Sequence, residues 1–142
     1  MLPESGSITN KQKIVYVEDN LSNVMLVEEL LGERPNVELL VAKSGEAALD
    51  LARRSLPSLI LLDLHLPGLS GREVLGHLKR DAATSLIPVV VISADATKRQ
   101  IERLLAEGAR DYLTKPIDVP EFFRVIDCAL TEKDSNTQRA AA

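Results

Sequence analysis

The chain has 142 residues, 45% of them hydrophobic and 27% charged, with a formal net charge of −4. That length supports one domain with a real core and leaves no room for a second of ordinary size, while the acidic balance and the lack of a Lys/Arg stripe speak against a nucleic-acid footprint. The single cysteine, Cys128, allows no intramolecular disulfide and fits a reducing cytoplasm, and no apolar run approaches the roughly 18 residues that a membrane span needs.

The N-terminal stretch MLPESGSITNKQ lacks the apolar core of a signal peptide and reads as a disordered tail over 1–12. IVYV (14–17) is the first strand-like run, followed by LSNVMLVEELL with apolar residues at 21, 24, 25, 30 and 31, close to helical period. VELLV (37–41) is the second strand and GEAALDLARR the second helix. LILL (59–62) then drives straight into Asp63 and a turn marked by Pro67 and Gly68. A continuous aliphatic run fits a strand buried on both faces, which places Asp63 at the rim of the sheet. EVLGHLKR, PVVVI (88–92), IERLLAEGA, DYLT (111–114) and VPEFFRVIDCAL complete the alternation. Gly108 is the expected C-cap of the fourth helix, and Asp118 with Glu121 reads as a capping box for the fifth. The polar, Ala-rich end, 133–142, is expected to be a disordered tail, leaving a domain over 13–132. The fold class is therefore α/β: a doubly wound, five-stranded parallel sheet with right-handed crossovers and helices on both faces.

In such sheets a site forms outside the carboxyl ends of the strands. There stand Glu18 and Asp19 after strand one, Asp63 after strand three, Ser93 after strand four and Lys115, followed by Pro116, after strand five. Three carboxylates in one crevice repel one another unless a cation sits among them, and Mg2+ suits a few carboxylate oxygens plus waters and substrate oxygens. Lys115 and Ser93 on the far side could hold a phosphoryl group, with Asp63 as nucleophile forming an acyl phosphate. Taken singly, each residue has a plainer use as a turn, cap, loop hydroxyl or surface charge; their concurrence at the ends of four strands is what points to a site. Lys43, Glu46, Asp50, Arg53, Arg54 and His77 read as solvated faces.

VYVEDNLSN, LILLDLHLPGLSG, IPVVVISADAT and GARDYLTKPI resemble, in order and spacing, the motifs of response-regulator receiver domains of two-component and phosphorelay systems, from about Lys13 to Leu130. The resemblance implies the flavodoxin-like (βα)5 fold with strand order 2-1-3-4-5, and phosphorylation of Asp63 by a histidine kinase or histidine phosphotransfer protein with Mg2+. It further implies that Asp19, Asp63 and the backbone carbonyl of His65 ligate the metal, with Glu18 acting mostly through water. Ser93 and Lys115 match the phosphoryl-binding pair, Tyr112 matches the aromatic switch, and the Lys115–Pro116 bond is often cis in such domains. The acidic pair is Glu-Asp rather than Asp-Asp, and Ser93 stands for the more frequent threonine.

The resemblance also implies a non-enzymatic switch, limited to self-catalysed phosphotransfer and autodephosphorylation, acting in the cytoplasm as a monomer or weak dimer. It would contact neither nucleic acid nor membrane. Its output partner is unknown; the output surface is expected around Arg99, Arg103, Arg110, Tyr112 and Arg124, and kinase-side docking near Asn20, Asn23, Val24 and Ile117. The motif style resembles the receiver of a hybrid sensor kinase. His65 and Asp95 are expected to flank the path of a water attacking the aspartyl phosphate and to shield it if they pair. Two rivals are a pseudo-receiver that works without phosphorylation and an aspartate-nucleophile phosphatase.

Overall fold

A computed structural model describes residues 11–95 and 97–141, with side chains as far as Thr131. Strands β1 (Gln12–Val17), β2 (Val37–Ala42), β3 (Leu59–Asp63), β4 (Val89–Ser93) and β5 (Asp111–Thr114) alternate with helices α1 (Leu21–Leu31), α2 (Gly45–Ser55), α3 (Gly71–Arg80), α4 (Lys98–Ala106) and α5 (Val119–Ala141). The strands form one parallel sheet in the order β2-β1-β3-β4-β5, as expected.

Side-chain alternation along the strands divides the interior in two. Val15, Val17, Ile60, Leu62, Val89 and Val91 face one core with Ala48, Ala52, Val74, Leu75, Leu78 and Leu104 of α2, α3 and α4. Ile14, Tyr16, Leu59, Leu61, Val90 and Ile92 face the other, under Val24, Val27, Phe122, Val125 and Ile126 of α1 and α5. All five residues of β3 and of β4 are buried, which explains why they read as unbroken aliphatic runs.

Helix starts are set by short polar side chains that accept a backbone N–H of the first turn. Asn20, Ser44, Ser70 and Thr97 do so for α1 to α4. The reciprocal capping box lies at Ser70 and Glu73, not at Asp118 and Glu121. Asp118 accepts from Glu121 N at 3.1 Å, but the Glu121 carboxylate turns forward to Arg124, whose guanidinium offers two charge-assisted bonds. Gly108 ends α4 at φ +113 as expected, while Leu56 closes α2 in the left-handed region at φ 44, a conformation that costs a non-glycine residue energy.

At the chain ends, residues 1–10 of the expected tail lie outside the described residues, and Gln12 already belongs to β1, where its N–H donates to Asn36 O at 2.8 Å. The backbone of α5 runs helically to Ala141, well past the boundary expected at 132.

One glycine fixes how α3 meets the sheet. A Cβ at Gly71 would lie 2.3 Å from Asp63 O and 2.6 Å from Leu64 Cα, and Gly71 N donates to Leu64 O at 3.0 Å. The start of α3 thus rests directly on the end of β3. Gly71→Ala is expected to lower the free energy of unfolding by about 1–3 kcal/mol, the usual cost of overpacking; a urea midpoint equal to wild type would show that the helix yields freely there.

Candidate functional site

The rim at the carboxyl ends of β1, β3, β4 and β5 collects the polar residues that the strands deliver. Asp63 is the last residue of β3 and Ser93 the last of β4, in register with Ile92 and Thr114 on their neighbours. Glu18 follows β1, anchored by its N–H to Ala42 O at 2.9 Å, and Lys115 follows β5, anchored by its N–H to Ser93 O at 3.0 Å. The Lys115–Pro116 peptide is cis.

These side chains converge. Lys115 Nζ lies 3.3 Å from Glu18 Oε1 and 3.4 Å from Asp63 Oδ1. Glu18, Asp19 and Asp63 each offer a carboxylate oxygen, all within 4.8 Å of one another. Glu18 and Asp63 are buried, at 1% and 2% exposure, and Asp19 is exposed. Among the described residues, three acids facing one ammonium leave two negative charges uncompensated at the rim when all are ionised. That oxygen-only donor set, open to solvent on the Asp19 side, fits a hard divalent ion such as Mg2+.

The two buried acids differ in their surroundings. Burial, then the charge of Glu18, pushes the Asp63 carboxyl above its ordinary range; Lys115 and the His65 N–H at 3.3 Å act in the opposite direction without prevailing. Burial also works against the charge on Glu18. There it is outweighed by hydrogen bonds from Tyr16 and the Asn20 N–H, and by Lys115, so Glu18 is held below its ordinary value.

Ser93 is fully buried, and its Oγ accepts from Asp95 N at 3.2 Å. The carbonyl of the same Asp95 accepts a hydrogen bond from the Tyr112 hydroxyl, whose ring is buried against the core under α4. Ser93 and Tyr112 are therefore joined through the two peptide groups of one residue. Among the described residues His65 and Asp95, for which shielding was conditional on their pairing, form no pair. Asp95 Oδ1 instead accepts Thr97 N at 3.1 Å, a local turn bond that competes with any longer reach.

The structure also revises the surfaces. Val24, expected at the kinase-docking face, is buried in the core under α1, whereas Leu21 and Met25 on that helix are 66% and 57% exposed. Arg99 and Arg103 are exposed on α4, and Arg124 is committed to Glu121. Of the residues read as solvated faces, Arg53 pairs with Asp81 and Arg54 with Asp50. Sequence reading missed Tyr16, whose hydroxyl donates to Glu18 Oε1 at 3.0 Å. Its signal was available: residues two apart on a strand point to the same face.

Comparison with known proteins follows the same line. The family of response regulator receiver domains matches residues 14–127. The polar-differentiation response regulator DivK of Brucella ovis is 42% identical over 115 residues, covering 81% of this chain and 93% of DivK. Among solved structures, the receiver domain of a sensor histidine kinase from Pseudomonas aeruginosa PAO1, with magnesium coordinated in its active-site cleft, superposes with TM-score 0.77 at 27% identity, covering 85% of this chain and 98% of that one. The signal receiver domain of a protein described as a Luxo repressor, from Vibrio parahaemolyticus, gives TM-score 0.84 at 26% identity, covering 90% and 96%.

The raised Asp63 value has a consequence for stability. Between the ordinary carboxylate range and that raised value the folded chain keeps a proton that the unfolded chain has lost, so rising pH through this window favours unfolding. Above that raised value the destabilisation is fully expressed. With a chelator present, Asp63→Asn is expected to unfold at higher urea than wild type at neutral pH, the difference shrinking as pH falls into the carboxylate range; a variant no more stable than wild type at neutral pH would contradict the assignment.

Proposed function

The chain belongs to the response regulator receiver domain family, and we propose that Asp63 is its phosphoacceptor, charged by a histidine kinase or histidine phosphotransfer protein in a Mg2+-dependent step. The observation that carries this is the placement of Lys115 Nζ 3.4 Å from Asp63 Oδ1, inside a triad of acids close enough to share one cation.

The chemistry follows from the positions. An oxygen of the ionised Asp63 attacks phosphorus on the donor histidine; a P–O bond forms, the P–N bond breaks, and its electron pair leaves on the imidazole nitrogen, which is protonated there. Asp19, Asp63 and the His65 carbonyl would hold Mg2+, with Glu18 acting through water, and the ion would supply positive charge against the phosphoryl oxygens. Support for the indirect role of Glu18 is that both its oxygens already accept hydrogen bonds, from Tyr16, Lys115 and Asn20. Lys115 favours the ionised form of Asp63 before transfer and pairs with a phosphoryl oxygen afterwards. The Ser93 hydroxyl is the donor for another.

The acyl phosphate acts as a switch because it adds charge to a rim already tied to the α4 side. When Ser93 turns to the phosphoryl group it gives up the Asp95 N–H, and the same Asp95 holds the Tyr112 hydroxyl. A change at Asp63 thus reaches Tyr112 and the exposed α4 arginines, Arg99 and Arg103. On the opposite side, Leu21 and Met25 of α1 offer apolar contacts to the phosphodonor. The receiver unit in this reading is 13–132. It works in the cytoplasm; among the described residues no helix is long and apolar enough to cross a membrane. The match to DivK over 93% of that regulator's length supports reading the chain as a response-regulator receiver unit.

Intact-mass measurement after incubation with a small acyl or amide phosphodonor is expected to show one phosphoryl adduct on wild type, none on Asp63→Asn and none with a chelator. An adduct that survives Asp63→Asn, or no adduct on the folded wild type, would overturn the assignment.

A further inference from the structure

We propose that Tyr16 is a positioning residue for the metal site, its buried hydroxyl holding the Glu18 carboxylate in the place from which it serves the cation. This rests on the reading of Glu18, Asp19 and Asp63 as a Mg2+ site.

Tyr16 sits in β1, an interior strand between β2 and β3, and is fully buried in the same core as Ile14, Leu61, Val27 and Phe122. Packing alone would ask for Phe. The added hydroxyl reaches the rim and donates to Glu18 Oε1 at 3.0 Å, while Lys115 Nζ approaches the same oxygen at 3.3 Å and Asn20 N donates to Oε2 at 3.2 Å. Glu18 is thus fastened from three directions: its own strand, the following loop and β5. The phenol can only donate to the Glu18 carboxylate, so the bond has a fixed direction.

The geometry depends on the length of the acid. An aspartate at 18 would be one methylene shorter and would draw its carboxylate away from the phenol. The Glu-Asp form of the acidic pair and the tyrosine two residues earlier therefore form a matched set: the longer acid spans to the hydroxyl, and the hydroxyl removes the rotamer freedom that the extra methylene brings. Partners that orient a metal's carboxylates in this way are typically worth about 10–100-fold in metal affinity.

The test is Mg2+ affinity without phosphodonor, followed by amide chemical shifts, for wild type, Tyr16→Phe, Glu18→Asp and the double variant, with thermal unfolding in chelator as the check on folding. Tyr16→Phe keeps the ring and is expected to weaken Mg2+ binding about tenfold. In the Glu18→Asp background the same change should matter less than twofold, because the shorter acid has already left the phenol; this non-additivity distinguishes positioning from a general loss of core packing. Equal losses in both backgrounds, or an affinity within twofold of wild type for Tyr16→Phe, would overturn the proposal. Absence of Mg2+ binding by wild type would instead remove the metal-site reading itself, and this inference with it.

Discussion

Three carboxylates and one ammonium share the rim where the strands end, and the rest of the molecule is arranged around that imbalance. Glu18 and Asp63 are buried close together, a placement that would be costly without compensation. Lys115, shared between them, answers part of the charge. What remains negative is what a divalent cation would neutralise, and the cation in turn would allow a phosphoryl group to approach an acid. The electrostatic deficit of the resting site and its chemistry are the same feature.

The fold meets this constraint by making the rim rigid. Four parallel strands carry one or two polar residues each to the same edge, and β3 and β4, which end in Asp63 and Ser93, are buried along their whole length, so those ends have little freedom. Gly71 brings α3 against the backbone of Asp63, and Tyr16 reaches up from the core to Glu18. The loop after β4 carries the connection away from the rim. There Asp95, exposed between Ser93 and Thr97, connects the hydroxyl beside the acids to the ring of Tyr112. A rigid receiving edge with a hydrogen-bonded path leading away from it is what a charge-driven switch requires.

Much of this was legible in the sequence, for identifiable reasons. LILL running into Asp63 fitted a doubly buried strand ending in an acid, and it was the concurrence of Glu18, Asp19, Ser93 and Lys115 at the ends of the other strands that pointed to a site. What escaped were interactions that depend on side-chain reach. Tyr16 looked like one more apolar strand residue: the two-residue spacing puts it on the same face as Glu18, but that its hydroxyl reaches the carboxylate depends on side-chain length and rotamer. His65 and Asp95 were read from position as flanking a water path, with shielding conditional on their pairing, yet Asp95 had a nearer partner in the Thr97 N–H. Val24 and Met25 are adjacent on α1 and equally apolar, but the helix turns one inward and the other outward. The capping box was assigned to Asp118 because the pattern S/T/D-x-x-E occurs twice, and only the competition of Arg124 for Glu121 decides between the two.

The central claim is that charge placed at Asp63 is transmitted through Ser93 and Asp95 to Tyr112. The most direct measurement is a comparison of the amide spectrum of isotope-labelled protein before and after addition of Mg2+ with beryllofluoride, a mimic of the phosphoryl group. The account predicts shifts at Asp63, Ser93 and Lys115 that continue through Asp95 and Tyr112 into α4. Shifts confined to the acidic rim, with Asp95, Tyr112 and α4 unmoved, would contradict it.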